Sequence, residues 1–213
     1  MKLLAATRSP GKQHEIRALF AGARHEVVFP DDMGLWPVPE EDGLETGTSF
    51  TENARRKAEH FARRAFMPVI ADDSGLEVLS LGGDPGVRSK RWAGASGGEP
   101  EIDKANNAEL LRRLLGAPPA RRRARYRCVV ILLRAPGAVP EAFEGACGGA
   151  ILEEPRGEGG FGYDPLFLSD ELGRTFGEVT QEEKASVSHR GRAFRALIDA
   201  LDEPAPAGGP ARG

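Results

Sequence analysis

Apolar positions along this chain recur with two periods, and they predict strands alternating with helices. Residues 3–6 form a short continuous apolar run, as in a strand. Ile16, Leu19 and Phe20 then share one helical face, and the pattern stops near Gly22. Ser9 stands where this helix needs a cap, and Pro10 takes the first helical position, where a missing N–H costs nothing. Residues 27–29 suggest a second strand, and the Pro-, Gly- and acid-rich residues 30–47 a long loop. Ser49-Phe50-Thr51-Glu52 has capping-box form. It predicts a helix to about Ala65, with Phe50, Ala54, Ala58, Phe61 and Ala65 inward and the arginine pairs at 55–56 and 63–64 outward.

Residues 69–71 predict a strand that ends in Asp72-Asp73-Ser74-Gly75, and 76–79 another, which together make a hairpin-like unit. A glycine-rich loop follows over 82–98, then a helix over 100–115 with Ile102, Leu110, Leu111, Leu114 and Leu115 apolar. The strongest strand is 126–133, whose unbroken apolar run implies a central position covered on both faces. Residues 143–151 pair back against it, and 157–164 form a loop carrying Phe161 and Tyr163. Phe194, Leu197, Ile198 and Leu201 mark a last helix, with Ser188 as its cap. There is no internal repeat. The expectation is a mixed α/β fold around one sheet, a single domain over 1–202, with a disordered Pro/Ala/Gly tail at 203–213.

Composition narrows the function classes. The 213 residues are 40% hydrophobic and 29% charged, as in ordinary soluble proteins, and suffice for a sizeable core. A formal net charge of −3 gives no general attraction to nucleic acid or an acidic membrane, so a polyanion would need a local site. Cys128 and Cys147 form no CxxC pair, which argues against a zinc site or a disulfide framework. Cys128 sits in an apolar run as a small buried residue, which favours a reducing compartment. The first apolar stretch is too short for a signal peptide and no segment can span a bilayer, so the cytoplasm is the expected location.

Several clusters could carry chemistry. Lys12 falls in the first turn of a helix, where the dipole disfavours a cation. That placement suits a bound phosphate, because the unpaired N–H groups of a helix start also attract anions; it equally suits a lysine reaching into water. His189 and Arg190 repeat the arrangement after Ser188, with Lys184 just upstream. Asp72 and Asp73 follow an apolar strand, so one of them can face a cleft and hold a divalent metal or take a proton from water. A polar turn closing a hairpin explains them as well. Glu40, Glu41, Asp42 and Glu45 could add a second metal carboxylate or form a solvated surface. Gly159-Gly160-Phe161-Gly162-Tyr163-Asp164 could bring an aromatic ring against a base, or anchor a tight turn in the core. The arginines at 121–123, 125 and 127 fit a solvated strand edge better than an RNA surface.

Taken in order, "TRSPGK" at 7–12, "ETGTSFTENARRKA" at 45–58, "ADDSGLEV" at 71–78, "LGGDPGVRSKRWAG" at 81–94, "GGFGYDPLF" at 159–167 and "EEKASVSHRGRAF" at 182–194 resemble the inosine/xanthosine triphosphate pyrophosphatases, over about residues 2–201. The resemblance implies a long twisted mixed sheet with two helical lobes, a nucleotide (ITP, dITP or XTP) in the central cleft, Mg²⁺, and a homodimer, with neither nucleic acid nor membrane as partner. It implies that Asp73 is the metal-associated catalytic acid or base and that Glu45, before Glu41, is the second metal carboxylate. Thr7, Arg8, Ser9 and Lys12 would bind phosphate, with Lys57 a further candidate, and Ser74 would touch the substrate. Phe161, Gly162, Tyr163, Asp164, Lys184, His189 and Arg190 would line the base and ribose pocket. Arg190, a donor only, would favour a 6-keto acceptor over the 6-amino group of adenine. The family usually has asparagine at the position of Ser9, and often a smaller aromatic at that of Trp92. Two other readings are a Maf-type nucleotide pyrophosphatase, which usually has arginine where Gly11 stands, and a non-catalytic nucleotide- or RNA-binding module.

Overall fold

The computed structural model describes residues 1–203. The tail expected to be disordered lies, apart from Glu203, outside the described residues. In chain order the elements are β1 (Lys2–Ala5), α1 (Pro10–Phe20), β2 (Glu26–Val28), α2 (Phe50–Ala65), β3 (Val69–Val78), α3 (Glu99–Arg113), β4 (Arg123–Leu133), β5 (Glu141–Ile151), β6 (Phe167–Ser169), α4 (Gln181–Val187) and α5 (His189–Asp202). Short 3-10 segments interrupt the loops, among them Pro39–Gly43 and Gly86–Arg91. The six strands form one mixed sheet in the order β2-β1-β3-β4-β5-β6, parallel on either side of β1 and antiparallel from β3 onward.

Strand alternation divides the core. Leu4, Val69, Ala71, Val129 and Ile131 face α2, where they meet Ala54, Ala58 and Phe61. Leu3, Ala5, Ile70, Val130 and Leu132 face the other way, onto Ile16, Phe20, Phe194 and Leu197 of α1 and α5. The far halves of β3, β4 and β5 carry a third cluster, with Leu76, Val78, Tyr126 and Ile151 against Leu110 of α3 and Leu114 just past its end. Two lobes thus share β3 and β4, and the cleft lies where α1, α2 and α5 give way to α3.

The structure corrects several expectations. Asp72-Asp73-Ser74-Gly75 is not a turn: β3 runs unbroken, and its ladder with β4 extends from Val69↔Leu133 to Val78↔Ala124. Gly75 is needed here for close approach. A Cβ would stand 2.3 Å from the Gly86 carbonyl oxygen and 2.4 Å from the Ser89 hydroxyl, so the 86–91 segment can lie directly on the strand. The arginine run is not at a sheet edge, since β4 lies between β3 and β5. Arg122 is buried and donates to the carbonyls of Leu114, Ile151 and Leu152. Arg123, Arg125 and Arg127 pair with Asp170, Glu77 and Glu144.

The helix expected over 100–115 ends at Arg113, and Leu115 beyond it is exposed. Ser49 accepts from the Glu52 N–H, but the Glu52 carboxylate accepts from Thr48 N rather than completing the box. The reciprocal box sits at Thr180 and Glu183, at the start of α4. No pattern announced β6 or α4, since three residues and one polar two-turn helix carry too little periodicity. Among the described residues no helix is long and apolar enough to cross a membrane.

Candidate active site

The cleft between the lobes has a volume of about 590 Å³, within the range of small-molecule sites. Every residue to which the family resemblance gave a role lines it, from Thr7 at the exit of β1 to Arg190 at the start of α5, whereas Asp72 and Glu40 do not. Two pairs of elements build its floor. Asp72 and Asp73 are neighbours on β3 and point to opposite faces, Asp72 toward α1 and α5 and Asp73 toward α2.

On the α1 side, Ser9 is the N-cap residue but its hydroxyl makes no cap hydrogen bond. Thr7 Oγ1 accepts from Ser9 N at 3.2 Å. Lys12 Nζ lies 3.1 Å from Asp72 Oδ2, so the cation at the unfavourable end of a helix has a buried counter-charge. Burial opposes charge on Asp72, yet Lys12 and Arg190 hold its carboxyl well below the usual range. Arg8 is engaged elsewhere: it donates to Glu41 (2.7 and 2.9 Å), Asp31 (2.7 Å) and the Leu35 carbonyl (2.7 Å). Glu41 also receives Arg64 at 2.7 Å. Both residues are thereby tied into a clamp that shapes the acidic loop at the cleft mouth.

On the α2 side, Asn53 and Lys57 lie four residues apart on the inward helix face. Asn53 Nδ2 donates to Asp73 Oδ2 at 2.8 Å. Lys57 Nζ lies 2.7 Å from Glu45 and 3.8 Å from Asp73, and also donates to the Asp72 carbonyl. Lys57 holds the Glu45 carboxyl down to about 2. Burial pushes the Asp73 carboxyl up, against the pull of Lys57 and Lys12. A carboxylate with raised proton affinity beside one with lowered affinity is a useful division of labour for acid–base work.

Opposite stands the aromatic loop. Phe161 has Lys184 Nζ 4.9 Å and Arg190 Cζ 5.7 Å from its ring centroid. Asp164 is buried and accepts from Phe161 N at 2.9 Å and from Lys184. Tyr163 turns inward and donates to the Ser89 carbonyl at 2.9 Å. Arg190 uses four of its five donors internally, two on Asp72 and one each on Glu15 and Ser74. His189 is not a second cation. Burial, reinforced by Arg190, pushes it well below its ordinary value, and its ring stacks on Tyr126 at 4.6 Å and 7°. Its Nδ1 is buried without a partner among the described residues.

Glu15 is a site residue the sequence reading missed. It is buried on α1, accepts from Lys184 at 2.6 Å and from Arg190, and is held down to about 2 by those two cations against the penalty of burial. Its position three residues after Lys12 and beside core residue Ile16 was the available signal. Asn53 offered a similar one, as a polar residue on the apolar face of α2. Asp72 was visible as one of a pair, but its pairing with Lys12 was not.

A two-lobed α/β protein with a lysine- and carboxylate-lined cleft at the sheet crossing is a framework for holding a polyanionic small molecule. The chain belongs to the Ham1 family, whose model matches residues 3–200. A dITP/XTP pyrophosphatase of Geobacillus kaustophilus (strain HTA426) is 46% identical over 202 residues, covering 95% of each chain. One from Anaeromyxobacter sp. (strain Fw109-5) is 43% identical over 227 residues, covering 95% of this chain and 97% of the relative. The solved structure of a Ham1 protein from Coxiella burnetii matches with a TM-score of 0.82 at 33% identity, covering 96% of this chain and 100% of that one.

Proposed function

We propose that this protein hydrolyses non-standard purine nucleoside triphosphates (ITP, dITP and XTP) between the α and β phosphates, releasing the nucleoside monophosphate and pyrophosphate. Relatives of near-identical length that carry the name dITP/XTP pyrophosphatase support this activity. The observation that carries the mechanism is the convergence of Lys12, Lys57, Asp73 and Arg190, from four different elements, on one cleft.

In this reading the N–H groups at the start of α1, left free by the Ser9 side chain, join Lys12 in stabilising the leaving pyrophosphate. Asp73, with its raised proton affinity, orients and deprotonates the attacking water, and Asn53 fixes its rotamer. Phe161 stacks on the base. Lys184 and the one uncommitted N–H of Arg190 donate to the 6-keto oxygen, a pattern that adenine's amino group cannot answer.

The residues present fit Mg²⁺. Glu45 and Asp73 both reach the same Lys57 ammonium, and magnesium takes one or two carboxylates and completes its shell with water and substrate phosphate. No cluster of three or more His, Cys, Asp or Glu ligands occurs among the described residues, which is compatible with such a shared shell. When bound, Mg²⁺ supplies charge neutralisation on the triphosphate. A homodimeric, cytoplasmic enzyme acting on free nucleotides, not on nucleic acid or membranes, completes the proposal.

The test is pyrophosphate release from ITP, dITP, XTP, GTP and ATP, with Mg²⁺ and with EDTA. Fast release from the first three, slow release from ATP, and loss of activity in EDTA are expected. Equal turnover of ATP and ITP overturns the specificity. A pyrimidine preference would point to the Maf-type alternative, but Gly11 already speaks against that. A Cβ there would stand 2.8 Å from the Phe161 ring, so a larger side chain has no room.

A further inference from the structure

We infer that α3 is a strut that fixes the width of the base slot, with Asp103 and Asn107 as positioning residues for Phe161. The inference rests on the hydrolase reading for its kinetic consequence, but its geometry does not depend on it.

Gly162 follows Phe161 in a loop with a left-handed backbone, φ +63°. Its two backbone polar groups are both taken by side chains of α3. The Gly162 N–H donates to Asp103 Oδ2 at 2.6 Å, and its carbonyl accepts from Asn107 Nδ2 at 2.9 Å. Asp103 and Asn107 are four residues apart, hence stacked on one helix face, and they grip a single residue from both ends. The intervening Asn106 is buried and serves the opposite wall. It donates to the carbonyls of Ser89 (3.2 Å) and Lys90 (3.0 Å) and accepts from Ala93 N (2.9 Å). Tyr163 closes the frame through its bond to the Ser89 carbonyl.

The consequence concerns Phe161. Its ring packs on Gly11 of α1, where even a Cβ would come within 2.8 Å. Within the loop its N–H and carbonyl both bond Asp164, and its nearest tie to α3 is the adjacent Gly162, with Tyr163 held on the Ser89 carbonyl a residue further on. Loosening Gly162 therefore lets the ring shift while Lys12 and Asp73, which are held by Asp72 and Asn53, stay in place. A hydrogen bond to a charged acceptor has the strength to matter, so its removal should weaken base binding by about 10-fold. The phosphate end should keep its rate once the substrate is bound.

Four measurements on the full-length protein test this. Hydrogen exchange of the ligand-free protein should accelerate over 159–164 in Asp103→Ala and in Asn107→Ala, while the β4 core stays protected. For Asp103→Ala, KM for ITP should rise about 10-fold with kcat changed less than about 2-fold, and discrimination against ATP should fall. Asp103→Asn keeps an acceptor for the Gly162 N–H and should restore most of the wild-type KM. In a Phe161→Ala background the Asp103→Ala effect should vanish, since both act through one ring. Unchanged exchange over 159–164 overturns the strut whatever the activity. A fall in kcat at constant KM, or an equal Asp103→Ala effect with and without Phe161, shows a merely structural role and also overturns it. Failure of the wild-type protein to hydrolyse any triphosphate would sink the hydrolase reading alone, because the exchange experiment still decides the strut.

Discussion

Neutralising each of the two adjacent aspartates should produce opposite phenotypes. Asp72 is held ionised by Lys12, on the cleft wall at 3.1 Å, and by two bonds from the buried Arg190 at 3.1 and 3.2 Å. In Asp72→Asn those cations lose a buried counter-charge, a change that costs about 3–5 kcal/mol. Asp73 is different. Its ionised form is penalised by burial, so folding raises its proton affinity, and the neutral amide relieves that penalty. Asn53 still finds an acceptor on the amide oxygen, and Lys57 keeps Glu45 at 2.7 Å and the Asp72 carbonyl. The stability of Asp73→Asn should therefore stay within about 1 kcal/mol of wild type, or rise. Its turnover should fall by about 10²–10⁴-fold, the usual share of a positioned proton acceptor. Thermal melting at pH 7 separates the two: a loss of about 3 kcal/mol lowers the midpoint by about 6–12 °C in a chain of this size. The reasoning is refuted if the two variants melt together, or if Asp73→Asn retains turnover within about 10-fold of wild type.

Other outcomes follow from the same geometry. Gly11→Ala places a Cβ 2.8 Å from the Phe161 ring, so KM for ITP should rise while helix propensity improves; an unchanged KM means the ring does not seat the base. Folding lowers the Glu15 carboxyl to about 2, so its contribution to stability is complete above about pH 4.5 and fades as pH falls toward 2. Urea denaturation should accordingly find wild type losing stability between pH 5 and 3 more steeply than Glu15→Gln, which starts lower at pH 7; parallel losses would remove Glu15 from the account. In the protein free of metal and nucleotide, NMR titration should find the Asp73 carboxyl above the ordinary aspartate range; a value at or below that range would contradict its raised proton affinity.

The sequence alone made most of the frame legible. The apolar run within 126–133 predicted a central strand, and β4 is one. Ser49 and Ser188 marked two helix starts, and each accepts a bond from its third helical N–H. These features depend on residues close in the chain, whose spacing records which face is buried. The family resemblance likewise lay in short ordered motifs, and the family assignment and the mixed α/β sheet agree with it.

What was not legible depended on distant partners. Asp72-Asp73-Ser74-Gly75 carries local turn propensity, but ten ladder pairs with β4 hold it extended, and only that extension sends the two carboxylates to opposite faces. Arg8 and His189 had the composition of anion ligands. Four bonds to the acidic loop and its neighbour engage the first, and burial against Tyr126 neutralises the second. Sequence periodicity determined which residues lie inside. Charge state and pairing were decided by tertiary structure, because a side chain's electrostatic free energy depends on its burial and on partners brought in from elsewhere in the chain, such as the Glu15–Arg190 contact across 175 residues.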